Sequence, residues 1–448
     1  MPTLLIAIAV LFAAAAGAQP LLPHLIGSPA PGSVLLPCGQ PAGSIELTAS
    51  THLDPACTYV NNLEITASNL VLDCRGATLE APEAGNGQGI RIRVPTTVAL
   101  SNVTVRNCIV RGYQNSVRVA RQGFKDLLAG GEYVNAFSNI LIENSRFLDA
   151  KASGVFIDGY VTDVTLRTTE VAGAGGVGVY LEAGSKGNLV TRCDIHDNGY
   201  GDVVPEGVLI NVGGTAFRYR STGREGIAVD GSRDNRIVRN QLTNNAAGGI
   251  FLYKNCGEDF TNNPNGWWTR RYGADGNYIA RNTVTQGDNG IWLGARMNEN
   301  QVFMDCSDPP YVSTSGVRLY EDFARDNLIV RNRFVDVRYG IRIEDDHNRV
   351  AYNRFSSTDP THQAILLGTR DRTTVLGQPV DGTELRGNRA EIAGNAQPYG
   401  ATHPHQNTLD RGNRAAGVVV ALTAAAPPPI NPFLFAKLIW LDGTPPPP

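Results

Sequence analysis

The sequence predicts an all-β fold, a single-stranded right-handed parallel β-helix: a solenoid of roughly a dozen coils. Two recurrences predict it. Asparagine pairs with four residues between them frame apolar positions at Asn102/Asn107, Asn139/Asn144, Asn235/Asn240, Asn277/Asn282, Asn327/Asn332 and Asn348/Asn353. A second element, small-apolar-x-apolar-x, follows as Gly154-Val-Phe-Ile-Asp158, Gly178-Val-Tyr-Leu-Glu182, Gly226-Ile-Ala-Val-Asp230, Gly249-Ile-Phe-Leu-Tyr253, Gly290-Ile-Trp-Leu-Gly294, Gly316-Val-Arg-Leu-Tyr320, Gly340-Ile-Arg-Ile-Glu344 and, more weakly, Ala364-Ile-Leu-Leu-Gly368. Its first residues fall 23 or 24 apart from Gly154 to Gly178, Gly226 to Gly249, Gly316 to Gly340 and Gly340 to Ala364. The longer steps, Gly178 to Gly226 and Gly249 to Gly290, imply inserted loops. Alternation at period two is the strand signature, and no helical periodicity competes with it.

Taken from the N-terminus, residues 1–18 form an apolar run ending in Ala16-Gly17-Ala18, the pattern of a cleaved export signal. The mature chain is therefore expected to be secreted or periplasmic, without a membrane partner. Residues 19–68 are expected to cap the first coil, residues 69–390 to form the β-helix, and residues 391–448 to be an extension with a Pro-rich tail, whose Phe433–Trp440 piece folds back over the last coils. Seven cysteines in an oxidising compartment leave at least one unpaired. Cys38 with Cys57 is expected to clamp the cap, and Cys256 with Cys306 to tie two insertions together. Their spacings match no zinc motif. With 39 basic against 42 acidic residues, the chain lacks the basic excess of a nucleic-acid binder.

Stacked coils would bury Val155/Ile157, Val179/Leu181, Ile227/Val229, Ile250/Leu252, Ile291/Leu293, Val317/Leu319 and Ile341/Ile343 in one core and turn the alternate positions to solvent. The outward strip then carries Asp158, Glu182, Asp230, Glu344, Tyr180, Phe251, Tyr253, Trp292, Arg318 and Arg342, with Lys254, Arg296, Glu321 and Asp322 in the turns that follow. The insertions add Trp267, Trp268, Arg270 and Arg271. Charges on a solenoid also serve solubility, but that does not account for aromatic rings sharing the strip beside the longest insertions. Rings that stack on sugar faces, interleaved with groups that grip hydroxyls or carboxylates, point to a polysaccharide as the partner of a monomeric enzyme.

Two chemistries compete. In the preferred one Asp158, Glu182 and Asp230 supply acid and base for glycoside hydrolysis, which needs no cofactor; carboxyls on adjacent coils suit retention, and carboxyls two coils apart suit inversion. Gly207-Val-Leu-Ile-Asn211, as a further coil between Glu182 and Asp230, would decide which. In the other, Lys254 abstracts the proton α to a uronate carboxyl, Arg296, Arg270 or Arg271 steadies that carboxyl, Tyr253 or His196 protonates the leaving oxygen, and Ca²⁺ neutralises the substrate. An acidic ladder repels a polyuronate, which favours hydrolysis. A glycan-binding or envelope scaffold without catalysis is the third reading.

The asparagine ladder and the Gly-Ile/Val-x-Leu/Ile/Val strands resemble the pectin-lyase-like right-handed β-helix superfamily over about residues 60–390. The resemblance implies the fold, and a polysaccharide lyase, C5-epimerase, glycoside hydrolase or phage tailspike activity. Gly249-Ile-Phe-Leu-Tyr-Lys254 followed by Gly290-Ile-Trp-Leu-Gly-Ala-Arg296 is similar to the Lys-then-Arg arrangement of chondroitinase and alginate lyases. The Asp-Pro-His-Asp motif of alginate epimerases and the Asn-Thr-Asp and Gly-His-Gly motifs of polygalacturonases are absent.

Overall fold

A computed structural model describes residues 28–427 and 439–440, apart from 84, 213–214, 256–267, 269, 296–310, 313–317, 320–322, 370–371 and 374–376. Three sheets of 13 strands each run the length of the chain, and nearly every pairing joins a strand to its counterpart one coil later in parallel. This is the right-handed parallel β-helix that the repeat predicts. The coils reach beyond the expected 69–390 at both ends: Val34–Leu36 pairs with Thr51–Leu53, and Tyr399–Ala401 with Thr423–Ala424. The expected export signal and the Cys256–Cys306 pair lie outside the described residues.

The glycine that marks each repeat has a steric cause. A Cβ on Gly178 would stand 2.6 Å from the Gly226 carbonyl oxygen, on Gly249 2.4 Å from that of Gly290, and on Gly340 2.6 Å from that of Ala364. Only a residue without a Cβ lets the coils close to strand spacing there. The two apolar positions after it point inward. Val155, Ile157, Val179, Leu181, Ile227, Val229, Ile250, Leu252, Ile291, Leu293, Ile341 and Ile343 are all buried in one continuous core, each such burial contributing about 2 kcal/mol.

The asparagine pairs divide into two kinds. Asn102, Asn107, Asn139 and Asn144 have positive φ and form the turn itself. From Asn188 onward the left-handed position falls one residue earlier, on Asp234, Arg239, Arg281, Asp326 and Arg331, and the asparagine turns into the core. There the amides stack from coil to coil. Asn235 Nδ2 donates to Asn277 Oδ1 at 2.9 Å, and a second ladder runs from Asn240 through Asn282, Asn332, Asn353 and Asn388 to Asn413 with steps of 2.9–3.1 Å.

Two expected coils are hairpins instead. Gly207–Asn211 lies in Val203–Val212, which pairs antiparallel with Thr215–Thr222 outside the stack. Arg318–Leu319 pairs antiparallel with Tyr311–Val312, so Arg318 is not on the outward strip and Leu319 is not on a core strand of the stack. Period-two alternation is common to coil strands and hairpin strands, and the 24-residue step from Gly316 to Gly340 was coincidental. Strand Glu225–Asp230 therefore follows Val179–Leu181 directly, and Tyr339–Ile343 follows Asn289–Leu293. Ile439–Trp440 joins the first hairpin at Phe217 and Arg218 rather than covering the last coils.

Cys38 pairs with Cys57 as expected. Cys74 and Cys108, joined across one coil step with Cα atoms 4.8 Å apart, form a second disulfide the spacing did not suggest, and Cys193 is free and buried.

Asn282 accepts from both the main-chain N–H and the Nδ2 of Asn240 and donates to Ile237 O and Asn332 Oδ1. Asn282→Ala strands these buried partners and is expected to cost about 3 kcal/mol. Asn139→Gly, at an exposed turn with φ 52°, should stay within about 0.5 kcal/mol of the parent. Guanidinium unfolding midpoints of the two variants check the contrast; equal shifts would mean the buried ladder is not the stabilising element.

Candidate functional site

The site sheet sets one row of outward side chains in register: Arg91, Arg118, Phe156, Tyr180, Ala228, Phe251, Trp292 and Arg342. A second row, at the corner where each strand ends, holds Asp158, Glu182 and Asp230 on three successive coils, then Tyr253 paired with Asp230. Neighbours in a row are separated by one strand spacing, about 4.8 Å. Because no coil intervenes between Glu182 and Asp230, the three carboxylates are contiguous. Lys254 lies at the same corner on the next coil.

The rows do not face open solvent as the alternation implied. Asp230, Phe251 and Tyr253 are fully buried, and Asp158, Trp292 and Lys254 nearly so. The chain returning at Trp268–Tyr272 covers part of the corner. Trp268 meets Phe124 and Tyr160 edge-on, with ring centroids 5.1 and 5.3 Å apart, which locks segment 123–134 and segment 268–272 together over the site.

Each acidic group has its own surroundings. Asp158 accepts from Arg118 Nε at 2.7 Å, and burial pushes its carboxyl above the ordinary value against that guanidinium's pull. Asp230 accepts from the Tyr180 hydroxyl and the Asn255 N–H, each at 2.5 Å. Arg270 stands between Glu182, at 3.5 Å, and Asp230, at 3.8 Å, and donates to the Asn255 carbonyl. Burial, opposed by Arg270 and reinforced by the negative charge of Asp230, raises the Glu182 carboxyl to about 7. Glu182 is thus a carboxylic acid that holds its proton near neutrality. The Tyr180 and Tyr253 hydroxyls are raised well above their ordinary value, first by burial and then by Asp230 and Glu225 respectively, and remain proton donors. Beside these groups Phe156 and Tyr180, both partly exposed, stack face to face 4.9 Å apart, and the Arg118 guanidinium lies 5.1 Å from the Phe156 ring.

The remaining expected residues divide as follows. Phe251, Tyr253 and Trp292 pack on one another, and the Tyr253 hydroxyl donates to buried Glu225 at 2.7 Å. Arg271 binds the Tyr160 hydroxyl at 3.0 Å and approaches Glu132 at 3.5 Å, which makes it an anchor of the covering segment. Arg342 and Glu344 pair with each other at 2.5 Å, several coils from the carboxylates. Lys254 is buried at the corner, where its charge acts on Asp275. Trp267, Arg296, Glu321 and Asp322 lie outside the described residues. His196 is on another sheet, in strand Asp194–His196, away from the carboxylate corner.

Sequence reasoning missed Arg91, Arg93 and Arg118. Their strands, Gly89-Ile-Arg-Ile-Arg93 and Ser116-Val-Arg-Val-Ala120, carry the same small-apolar-x-apolar pattern and were legible. They show that the strip is not uniformly acidic: Arg91 and Arg118 stand in its outward row between Glu46 and Glu64 on one side and Phe156 on the other.

A model of the right-handed β-helix region matches residues 56–218 and 100–284, together just over half of the chain. The chain belongs to the right-handed β-helix family. A model of the periplasmic copper-binding protein NosD matches residues 208–364. No curated protein matches. Among solved structures, a double mutant of the periplasmic alginate epimerase AlgG is similar at 14% identity over 86% of this chain and 77% of that one, with a TM-score of 0.50. The A-module of the Azotobacter vinelandii mannuronan C-5 epimerase AlgE6 is 12% identical over 86% of this chain and 91% of its own, with a TM-score of 0.46. A GH87 α-1,3-glucanase catalytic domain is 15% identical over 88% and 64%, with a TM-score of 0.45. At these identities the likeness is one of fold. Among the described residues no helix is long and apolar enough to cross a membrane.

His196 has a structural role that the pH dependence of stability exposes. Its Nε2 lies 3.5 Å from Glu170 and its Nδ1 2.7 Å from Asp197; Glu170 above all, with Asp197, raises it from 6.5 to about 9, while the hydrogen bond to His196 chiefly draws Glu170 down to about 2. A histidine raised on folding stabilises fully below its unfolded value and loses that contribution as pH rises through about 9. The acid limb is Glu170, whose contribution disappears as pH falls through about 2. Melting temperatures from neutral to alkaline pH should therefore fall more steeply for the parent than for His196→Gln. Parallel curves would remove this ion network from the account of stability.

Proposed function

We propose that this chain is an exported carbohydrate-active enzyme that hydrolyses glycosidic bonds of a polysaccharide at the Asp158–Glu182–Asp230 corner. One observation carries the reading: three carboxylates stand on consecutive coils, and the middle one is held protonated near neutral pH beside a ring pair suited to stacking on sugar. The export signal expected at residues 1–18 and the likeness of residues 208–364 to a periplasmic protein support export. The AlgG likeness, to an enzyme of alginate, accords with a polysaccharide substrate.

Glu182 is the proton donor to the leaving oxygen. Asp230, oriented by the Tyr180 hydroxyl and the Asn255 N–H, is its partner across the scissile bond. Arg270, within 4 Å of both, balances their charge as the proton moves. Asp158 is held by Arg118 and positions the sugar next to them. Carboxyls one coil apart, about 5 Å, match the spacing of retaining enzymes; substrate displaces Arg270, 3.8 Å from the buried Asp230, so that this carboxylate attacks the anomeric carbon while Glu182 first donates and then recovers a proton.

Digestion of a glycan panel tests this. Hydrolysis releases reducing ends without an unsaturated chromophore, and the first product keeps the anomeric configuration of the substrate. Glu182→Gln and Asp230→Asn should each lower kcat about 10²–10⁴-fold while leaving the fold intact. The parent's kcat/KM should decline as pH rises through about 7, where Glu182 loses its proton, and this limb should be missing from residual Glu182→Gln activity. A product absorbing in the near ultraviolet, with activity lost in Lys254→Ala and retained in Glu182→Gln, would replace hydrolysis by elimination.

A further inference from the structure

Of the arginines that precede Phe156 in the outward strip, this mechanism uses only Arg118, through Asp158. Arg91, Arg93 and Arg118 come from two successive strands, Gln88–Pro95 and Asn115–Gln122, paired so that Arg91 stands beside Arg118 and Arg118 beside Phe156. Two carboxylates oppose these three guanidinium groups. Glu64 binds Arg93 at 2.5 Å and is left 3.9 Å from Arg91, while Asp158 takes Arg118. Arg91 therefore has the weakest ion pair of the three. Its Nε is buried without a hydrogen-bond partner, and burial, then the like charges of Arg93 and Arg118, weigh against its protonated form. An arrangement that concentrates positive charge and leaves guanidinium donors unused is suited to an anion. It lies two coil steps, about 10 Å, from the Phe156 ring, in line with the stacked rings and the carboxylate corner.

We propose that the glycan bound at this site carries an anionic substituent, a carboxylate or a sulfate ester, and that Arg91 with Arg118 forms the subsite for it. The inference rests on the polysaccharide reading above and names the substrate class. A sugar lying on Phe156 and Tyr180 has its chain running along the strip, so a unit further towards the N-terminal coils brings its anionic group to Arg91. The fork of Arg91 supplies the hydrogen bonds, and Arg118, already paired with Asp158, links occupancy of the subsite to the position of that carboxylate. These arginines thereby offset the repulsion that Asp158, Glu182 and Asp230 would exert on an acidic polymer.

Calorimetric titration of the full chain with three hexasaccharides tests the assignment: a uronate oligomer, the same oligomer with its carboxyls reduced to alcohols, and a sulfated galactan oligomer. At least one acidic probe should bind about tenfold tighter than the reduced one, the loss expected from one charge-assisted hydrogen bond. The tighter of the two names the anion. Arg91→Gln should weaken that probe about tenfold and the reduced probe less than twofold, with Arg91→Lys intermediate and all three chains melting alike. Equal affinity for acidic and reduced probes, or an Arg91→Gln chain that keeps the preference, overturns the subsite. Reducing ends released from a neutral glycan, with no affinity for acidic ones, would overturn it while leaving hydrolysis standing. Acidic binding without product in any digest would support the subsite and remove the hydrolytic reading.

Discussion

Coil-to-coil register is the constraint on which the rest of this molecule depends. Residues as distant in sequence as Tyr180 and Asp230 become near neighbours only because each strand pairs with the next at a fixed offset. Two features hold that offset. At Gly178, Gly249 and Gly340 the absence of a Cβ lets the carbonyl of the next coil approach to a distance no Cβ would permit. The buried asparagines then saturate one another's amides and the main-chain N–H groups at the corners, so a slip by one residue would leave a row of polar groups unpaired in the core. Apolar burial supplies most of the driving force and forbids a one-residue slip, which would turn the inward Val, Ile and Leu outward, but a two-residue slip leaves them inward. The polar ladder is what discriminates.

That division explains what was legible in the sequence. The fold class and most of the inward positions follow from glycine spacing and period-two alternation, because both are imposed by stacking; that Glu182 and Asp230 stand on adjacent coils does not. Arg318 was misplaced because a hairpin strand satisfies the same alternation; only the pairing partner, far away in sequence, distinguishes the two. Gly207–Asn211 failed for the same reason. Arg118 follows the Asn102/Asn107 pair at the usual offset, but its strand has Ser116 in place of the glycine, and the strand of Arg91 has Gly89 but no asparagine pair before it, so a search that required both passed over them. The burial of Asp230, Phe251 and Tyr253 was not legible at all. Asp230 is enclosed by Asn255 and Arg270, and Phe251 and Tyr253 by Trp292, Ala228 and Val177, contacts that no periodicity in the sequence announces.

Covering the corner changes its chemistry. On an open strip, acidic groups one strand spacing apart are screened by water and interact weakly. Beneath Trp268 and Arg270 the same spacing makes the charge of Asp230 felt at Glu182, and desolvation adds to it. The insertions therefore set the protonation of the site, while the coils set its geometry. The Trp268 ring, packed with Phe124, Tyr160 and Ala183 next to Glu182, ties the two.

A buried group of three carboxylates is costly on a scaffold that could bury valine at the same positions for nothing. Removing such groups from water costs several kcal/mol per ion unless partners compensate. Among the described residues, Arg118 pairs with Asp158, and Arg270 stands within 4 Å of both Glu182 and Asp230. With a second cation the cluster would be more stable, and Glu182 would then ionise. With none, Asp230 would lose its counter-charge and Glu182 would hold its proton too tightly to release it. A single arginine shared between two acids is the intermediate arrangement, and it leaves a transferable proton near neutrality. Structural ion networks on the same molecule, such as Glu170 with Arg146 and His196, are saturated instead, and Glu170 is lowered to about 2 rather than raised. The contrast between the two clusters, built on neighbouring sheets of one solenoid, is the physical reason to assign chemistry to the first and stability to the second.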